Sequence, residues 1–285
     1  MRLPTKVMYG IRYYDNLPDG PSDTSEIVLI HGVGTSLDFW NSVAPILAEN
    51  RRTIALDLPG SGESLLPRGS YDLESVTDAT IDFLDRIRVS GTVLIGHSLG
   101  ALVTLQMAAK RPDLVQTLIL IDPVLFDVEA VLTSPQAGLR NPALLGTTLA
   151  LFAGAMIPSS ISRRLLRSPR IRKQAMGMYA TDPVALDVIA LQDAISYVGG
   201  FRNTLRLLRV LLAAHSVDLE NLAKQVGTPT VIIRGEADRM STDADYVRLR
   251  KTMNIKNEIV LERCSHMPML ERPSDLASSI LSIAE

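Results

Sequence analysis

The chain has 285 residues, with 29 basic and 31 acidic side chains and a formal net charge of −2. Apolar residues make up 46% and charged residues 21%, a composition that excludes disorder, collagen and coiled coil as descriptions of the whole chain. A dedicated nucleic-acid-binding protein usually carries a basic excess, which is missing here. We therefore expect no nucleic-acid partner.

Cysteine content and apolar runs predict the compartment. The lone cysteine, Cys264, cannot form an internal disulfide, which favours a reducing, cytoplasmic location. The first ten residues, MRLPTKVMYG, lack an apolar run of signal-peptide length. The longest uncharged stretch, Asn141 to Ser162, is interrupted by prolines and glycines, and its apolar centre is shorter than the ~20 residues of a spanning helix. We predict no transmembrane segment.

In chain order, a predicted antiparallel hairpin over Lys6–Leu17 leads into short β-branched runs that alternate with helical patterns. The predicted strands are Glu26–Ile30, Thr53–Leu58, Thr92–Ile95, Thr117–Ile121, Thr230–Arg234 and Glu258–Glu262. Continuous apolar runs of this kind suit parallel strands covered on both faces. Helices are predicted over Leu73–Ile87 and Leu99–Lys110. The alternation predicts an α/β fold with a mostly parallel central sheet flanked by helices.

The alternation stops after Pro123 and resumes near Asp218. The interval is rich in Leu, Ala and Arg, which predicts an inserted helical cap over 124–215 and an α/β core formed by 1–123 and 216–285. Ten basic and five acidic residues give the segment from Val124 to His215 a charge of +5, so the remainder carries −7. The basic run Arg163 to Lys173 is typical of a solvated helix face; the alternative is an acidic partner, either a carrier-protein-bound acyl chain or an anionic lipid surface.

The sharpest local motif is Gly96-His97-Ser98-Leu99-Gly100, a G-x-S-x-G sequence between a predicted strand and a predicted helix. Small residues at both ends allow a tight turn that holds the Ser98 hydroxyl at the end of the strand, near the free N–H groups of the helix. This context indicates a serine nucleophile. The alternative is a glycine-rich turn in which Ser98 is an ordinary helix cap.

A serine needs a base, and a histidine base needs an acid. His266 follows the last predicted strand, whereas His97 is expected to point away from the serine. Asp238 follows the strand Thr230–Arg234 and matches the chain order serine, acid, histidine. Asp122, which also ends a strand, is the rival acid, and Glu236 is a weaker candidate.

An ester-cleaving site also needs donors for the developing oxyanion. We expect the backbone N–H groups of Val33, in the turn His31-Gly32-Val33-Gly34, and of Leu99 to supply them. The following residues, Ser36 to Ala48, are predicted to be helical, with Thr35 and Asp38 spaced as a capping box.

The segments HGVGTSLDFW, DLPGSGES, GHSLG, GEAD and SHMPMLERP together resemble the ordered landmarks of the α/β-hydrolase family, in particular its cap-bearing esterase-like members. The resemblance runs from about Ile27 to the C-terminus, and the middle segment matches only as a cap in the expected position. It implies that Ser98 is the nucleophile, Asp238 the acid and His266 the base, with the oxyanion hole at Val33 and Leu99. Asp57, Gly60 and Gly62 match a structural loop of the family.

Departures from the family pattern narrow the reaction. Relatives that cleave haloalkanes or epoxides use an aspartate nucleophile, whereas position 98 is serine. Relatives that cleave carbon–carbon bonds usually carry HGxGPG and a tryptophan after the histidine; this chain has Thr35-Ser36 and Met267 there. Dinucleotide binding is disfavoured because Leu37 and Leu65 occupy the third-glycine positions of G-x-G-x-x-G.

The sequence therefore predicts a serine hydrolase that cleaves a carboxylic ester or thioester of a small apolar acyl group, without cofactor or metal. An acyltransferase, a cyclase or a C–C bond hydrolase with the same triad remains an alternative, as does a non-catalytic binding protein on the same scaffold. Met240 and Met267 flank the acid and the base; core packing is their default role, and substrate contact is the functional prediction.

Overall fold

The computed structural model describes residues 2–17, 25–66, 71–123 and 218–284, together with 157, 161, 164–165, 167–177, 179–182 and 186 of the intervening segment. The predicted cap over 124–215 therefore lies mostly outside the described residues, and the domain boundaries stay a prediction. Among the described residues, no helix is both long enough and apolar enough to cross a membrane.

Eight strands form one sheet. They are β1 (Thr5–Met8), β2 (Ile11–Asp15), β3 (Ile27–Ile30), β4 (Thr53–Leu56), β5 (Thr92–His97), β6 (Val115–Ile121), β7 (Thr230–Gly235) and β8 (Ile255–Leu261). Their order is β1-β2-β4-β3-β5-β6-β7-β8. The pairs β1–β2 and β2–β4 are antiparallel and all other pairs are parallel, so the leading hairpin and the mostly parallel sheet are confirmed.

The described helices lie on both sides of this sheet. They are a 3₁₀ turn (Leu37–Trp40), α1 (Ala44–Ala48), α2 (Leu73–Arg86), α3 (Leu99–Lys110), α4 (Pro169–Met176), α5 (Leu219–Lys224), α6 (Asp243–Thr252), α7 (Pro268–Glu271) and α8 (Pro273–Ala284). The predicted bounds of α3 are confirmed, and α2 ends one residue before its predicted end. The edge strand β8 begins three residues earlier than predicted, because its first residues are polar or half-exposed and carry no apolar pattern.

Each central strand is buried on both faces, as continuous apolar runs predict. Even-numbered residues of β3 and β5 pack with α2 and α3, and odd-numbered residues pack with α1 and α8. The first face includes Val28, Ile30, Leu94, Leu118 and Leu120, and the second includes Ile27, Leu29, Val93, Ile95 and Ile119. Packing on both faces fixes the positions of the carboxyl ends of β5, β6 and β7 relative to one another. The candidate site lies at those ends.

The predicted helix Ser36 to Ala48 is wrong as a single element. A 3₁₀ turn ends at Trp40 and α1 starts only at Ala44. The capping box is wrong as well, since the cap is Ser36, whose hydroxyl accepts the Asp38 N–H. The Thr35 hydroxyl instead donates to Gly32 O (2.9 Å), and the Asp38 carboxylate binds Arg12.

Candidate active site

The turn after β5 holds Ser98 in a strained conformation. Ser98 has φ +54° and ψ −120°, and its side chain makes no cap hydrogen bond to α3. A non-glycine residue with this φ stores strain, which the surrounding structure must hold in place. The structure therefore does not support the interpretation of Ser98 as an ordinary helix cap.

Two glycines permit this turn. A Cβ at Gly96 would lie 2.4 Å from Thr104 Oγ1 and 2.5 Å from Gly100 O. A Cβ at Gly100 would lie 2.4 Å from His31 O and 2.8 Å from Ile30 O. Helix α3 therefore rests directly on the backbone of β5 and on the end of β3, and any side chain at either position would push it away.

Gly100→Ala tests this close contact. Since the new methyl meets backbone oxygens that cannot move aside, we expect the free energy of unfolding to fall by about 1–3 kcal/mol. Urea denaturation measures this effect. Gly227→Ala is the matched control, because a Cβ there meets nothing within 4 Å. Equal stability of the two variants would contradict the packing described above.

Ser98 meets His266 at the carboxyl ends of the parallel strands. Ser98 Oγ lies 3.0 Å from His266 Nε2, and both residues are buried. On the other side of the ring, His266 Nδ1 lies 3.2 Å from Asp238 Oδ1. This distance is short enough for an ion pair. The angle at the N–H is poor, however, so the contact does not qualify as a hydrogen bond of Nδ1. Such contacts are often loose before substrate binds.

Backbone groups hold Asp238 in this position. Asp238 Oδ1 also accepts the Met240 N–H at 2.9 Å, and the Asp238 side chain is only 2% exposed. Burial by itself would raise the pKa of Asp238, but the charge and hydrogen bond of His266 and the Met240 N–H outweigh burial, so this pKa lies below its usual value. Asp238 is therefore a carboxylate at neutral pH.

The turn after β3 lies against the turn that holds Ser98. A Cβ at Gly32 would lie 3.1 Å from Ser98 Cβ, and Gly34 has φ +70° in the same turn. Val33 sits between these glycines. Leu99 is the first residue of α3, so its N–H is one of those that a helix leaves without an intrahelical acceptor. The turn that contains Val33 therefore lies against Ser98, and the oxyanion role of Val33 and Leu99 stays a prediction.

A buried ion-pair network fixes the turn after β3. Arg12 Nη1 and Nη2 donate to the two oxygens of Asp38 at 2.9 and 3.0 Å, and Nη1 lies 3.4 Å from Asp57. Asp57 Oδ1 accepts the Leu37 N–H at 2.7 Å, and this hydrogen bond joins the loop after β4 to the segment after β3. Burial raises the pKa of Asp57 to about 6, against the opposing effect of its N–H donors. The resemblance placed Asp57 in a structural loop, but Arg12 was not predicted.

His31 adds a second link between the same two loops. His31 Nε2 accepts the Leu58 N–H at 3.0 Å, so its proton is on Nδ1, which donates to Gly32 O at 2.7 Å. Complete burial lowers the pKa of His31 to about 4, and it is neutral at pH 7.

The expectation for His97 was wrong. Its ring does not point away from the site but lies 5.0 Å from the His266 ring, centroid to centroid. His97 Nε2 donates to the His266 backbone oxygen at 2.8 Å, which helps to fix the histidine loop. Burial and the neighbouring His266 lower the pKa of His97 to about 3, so His97 adds no positive charge beside the base.

Because two buried histidines are neutral, we expect the free energy of unfolding to depend on pH. The unfolded chain takes up protons near pH 6.5, whereas native His31 and His97 take them up only near 4 and 3. Their contribution to stability is therefore present above pH 6.5 and falls as the pH drops, by roughly 1.4 kcal/mol per pH unit for each histidine. Asp57, whose pKa is raised to about 6, and Asp122, whose pKa is raised well above its usual value, act in the opposite direction, and each offsets about one histidine where it is protonated in the native state.

Urea denaturation at several pH values between about 7.5 and 5 measures this slope. The His97→Gln variant keeps a donor for the His266 oxygen but cannot take up a proton, so its slope should be smaller by about one proton. A His97→Gln variant whose slope equals that of the wild type would contradict the assignment.

The predicted substrate-contacting methionines are both buried. Met240 contributes its backbone N–H to Asp238, and the Met267 side chain packs in the apolar cluster on the α1 and α8 face. Tyr179, from the segment between β6 and β7, places its ring 6.3 Å from the His266 ring. The sequence carries no signal for Tyr179, since only the fold brings it to the site.

Nitrogen and oxygen atoms of His97, Asp122 and His266 lie within 4.8 Å of one another, a spacing that a metal ion could use. Both His266 nitrogens already contact Ser98 and Asp238. The grouping is therefore explained by the Ser98–His266–Asp238 arrangement, and we assign no metal to it.

Comparison with known proteins agrees with this fold. The model of the alpha/beta hydrolase family matches residues 27–279, and the chain belongs to that family. The family resemblance predicted from the sequence is confirmed.

Among curated relatives, the dihydrolipoyllysine-residue acetyltransferase component of the acetoin cleaving system of Pseudomonas putida is 27% identical over 282 residues, covering 98% of this chain and 68% of that protein. The putative carbamate hydrolase RutD of Stutzerimonas stutzeri is 27% identical over 226 residues, covering 78% and 76%. Three mycobacterial relatives match over only 42% of their length. A putative lipase of Acinetobacter baumannii has the same fold, with a TM-score of 0.72, 20% identity, and coverage of 98% and 89%.

Proposed function

We propose that this protein is a serine hydrolase that cleaves a carboxylic ester or thioester through an acyl-enzyme. The observation that carries the proposal is the 3.0 Å contact between Ser98 Oγ and His266 Nε2, with Asp238 at the opposite nitrogen. Ser98 is held there at the cost of backbone strain and without a capping role. Strain of this kind is concentrated at functional sites.

Acylation begins when Ser98 Oγ attacks the carbonyl carbon and His266 Nε2 takes the hydroxyl proton. The negative charge of Asp238 stabilises the imidazolium, and the Val33 and Leu99 N–H groups stabilise the oxyanion. Collapse of the tetrahedral intermediate breaks the bond to the leaving group. His266 returns its proton to the leaving oxygen or sulfur, and the acyl group stays on Ser98.

Deacylation repeats these steps with water. His266 takes a proton from a water molecule, whose oxygen attacks the acyl carbon. The second tetrahedral intermediate uses the same N–H groups and releases the carboxylic acid, and the proton returns to Ser98. A substrate hydroxyl, amine or thiol in place of water would make the same residues an acyltransferase or a cyclase.

The substrate class follows from the surroundings of the base. Beside His266 lie the buried Met267 and the half-buried Tyr179, and beside Asp238 lies the buried Met240. These side chains favour a small apolar acyl group. Substrate contact by Met240 and Met267 remains part of this proposal.

Two measurements together test the proposal against a non-catalytic binding protein. A fluorophosphonate should label Ser98 in the wild type, and a panel of 4-nitrophenyl esters of increasing acyl length should give many turnovers for each enzyme molecule. Labelling without turnover would favour the binding protein. Turnover that survives complete labelling of Ser98 would contradict the proposed nucleophile.

We also propose that an acidic partner binds at the basic run Arg163 to Lys173. Arg164, Arg167, Arg170 and Lys173 are exposed, whereas Arg163 lies outside the described residues. Replacing Arg163, Arg164 and Arg167 with alanine should weaken binding to anionic vesicles or to an acyl carrier protein, more strongly at low salt than at high salt. Binding and kinetics that ignore both the substitutions and the ionic strength would contradict the acidic partner.

A further inference from the structure

A second buried carboxyl group lies beside the acid of the proposed triad. Asp122 ends β6, is completely buried, and adopts φ +40°, another strained conformation for a non-glycine residue. The sequence offered it as the rival of Asp238. The triad as proposed gives it no role.

The contacts of Asp122 fix the direction of its carboxyl group. Oδ1 accepts the Gly235 N–H at 2.9 Å, and the backbone N–H donates to Ile233 O at 3.0 Å. Its carboxyl oxygen lies within 4.8 Å of a ring nitrogen of His97 and of His266, the histidine that Asp238 contacts, and Asp238 is near enough to influence the pKa of Asp122. In both aspartates Oδ1 has an N–H donor, whereas Oδ2 is buried and has no donor.

Two buried carboxylates close to each other cannot both be ionised, because each repels the charge of the other in a medium that solvates neither. Asp238 has the ring of His266 and the Met240 N–H to stabilise its charge. Among the described residues, the Gly235 N–H is the only hydrogen-bond donor to the carboxyl group of Asp122. The proton therefore belongs on Asp122.

We propose that Asp122 is a positioning residue that keeps a proton on Oδ2 and donates it to Oδ2 of Asp238. The inference rests on the proposed function, since it concerns the acid of the same triad. The hydrogen bond leaves Asp238 Oδ1 facing His266 and satisfies an oxygen that would otherwise be buried without a donor. The pKa of Asp122 agrees with this, because burial and then the charge of Asp238 raise it well above the usual value for aspartate.

Among the described residues, the other titratable groups around Asp122 do not supply a charge partner of its own, and the ring of His266 contacts Asp238 instead. These groups are His97, His266, Glu271, Tyr246 and Cys264. Tyr246 and Cys264 stay neutral because burial raises the pKa of each. His97 stays neutral because burial lowers its pKa to about 3, and Glu271 adds negative charge, which favours the protonated form of Asp122.

Asp122→Asn is the decisive variant, because asparagine has the same shape as the neutral acid. Because the Gly235 N–H needs an acceptor, it should bind the side-chain oxygen of the asparagine. The side-chain NH₂ group then faces Asp238. We expect kcat/KM for 4-nitrophenyl butyrate within about threefold of the wild type, with the acid limb of the pH profile unmoved. Asp122→Ala removes the donor and should lower kcat/KM by about tenfold or more. Asp238→Asn is the reference for loss of the charged acid.

Two kinetic outcomes would overturn the proposal. A loss in Asp122→Asn as large as in Asp238→Asn, or an acid limb moved to lower pH by about one unit, would mean that Asp122 is ionised. Wild-type kinetics in a folded Asp122→Ala would mean that it positions nothing.

A measurement independent of turnover separates this inference from the proposed function. Infrared spectra at pH 7 should contain the carbonyl stretch of a protonated carboxylic acid in the wild type and lack it in Asp122→Asn. A wild type without that band overturns the inference even if Ser98 is an active nucleophile. A wild type that shows the band but turns over no ester contradicts the proposed function alone.

Discussion

Replacing Ser98 with alanine should lower kcat for ester hydrolysis by about 10⁴–10⁶-fold while the fold is kept. The substitution removes the oxygen that attacks the substrate and leaves only what the oxyanion donors and binding can contribute. The fold should persist because the Ser98 side chain caps no helix and, within the described part of the chain, forms a side-chain hydrogen bond only with His266. Steady-state kinetics and thermal unfolding measure the two expectations.

Ser279→Ala is the matched control for this experiment. The Ser279 hydroxyl lies on α8 and donates to Asp275 O at 2.9 Å, a contact that involves none of the residues of the proposed triad. Its kcat should equal that of the wild type. Turnover in Ser98→Ala close to the wild-type value would end the assignment of the nucleophile.

Asp238→Asn should have the second largest effect, a loss in kcat of about 10³–10⁴-fold. An asparagine amide facing His266 Nδ1 would donate where the carboxylate accepts. The ring would then carry its proton on Nε2, the atom that has to accept the proton of Ser98. Substrate binding does not need this proton transfer, so KM should change far less than kcat.

Glu236→Gln is the matched control for the acid. Glu236 lies two residues before Asp238, and its carboxylate accepts the Arg263 N–H at 3.1 Å rather than facing His266. Its kcat should stay close to that of the wild type. If Glu236→Gln lost as much activity as Asp238→Asn, the acid would have been assigned to the wrong residue.

The sheet was predictable because its central strands are buried on both faces. Runs such as Ile27–Ile30 are completely buried and therefore apolar without interruption, which separates them from the amphipathic helices. The 3₁₀ turn at Leu37–Trp40 was missed for the opposite reason. Asp38 is bound by Arg12, 26 positions earlier, and no local pattern contains that contact.

Chain order located Ser98, Asp238 and His266, because parallel strands bring their carboxyl ends to one edge of the sheet. Alternation along a strand predicted that His97 would face away from Ser98. That argument failed because the chain leaves the strand at Ser98 with positive φ, so the two side chains no longer alternate. The environment of Asp122 could not be predicted, since the neutral state that we propose for it depends on Asp238, 116 positions later in the numbering.

The most direct test of the central claim is to trap the acyl-enzyme. The wild type, mixed with a 4-nitrophenyl ester and quenched in acid within the first turnover, should gain the mass of one acyl group. Peptide mapping should place that group on Ser98, and Ser98→Ala should gain none. An acyl group on another residue, or rapid ester hydrolysis with no acylated protein at any time and no burst of 4-nitrophenol, would contradict the account.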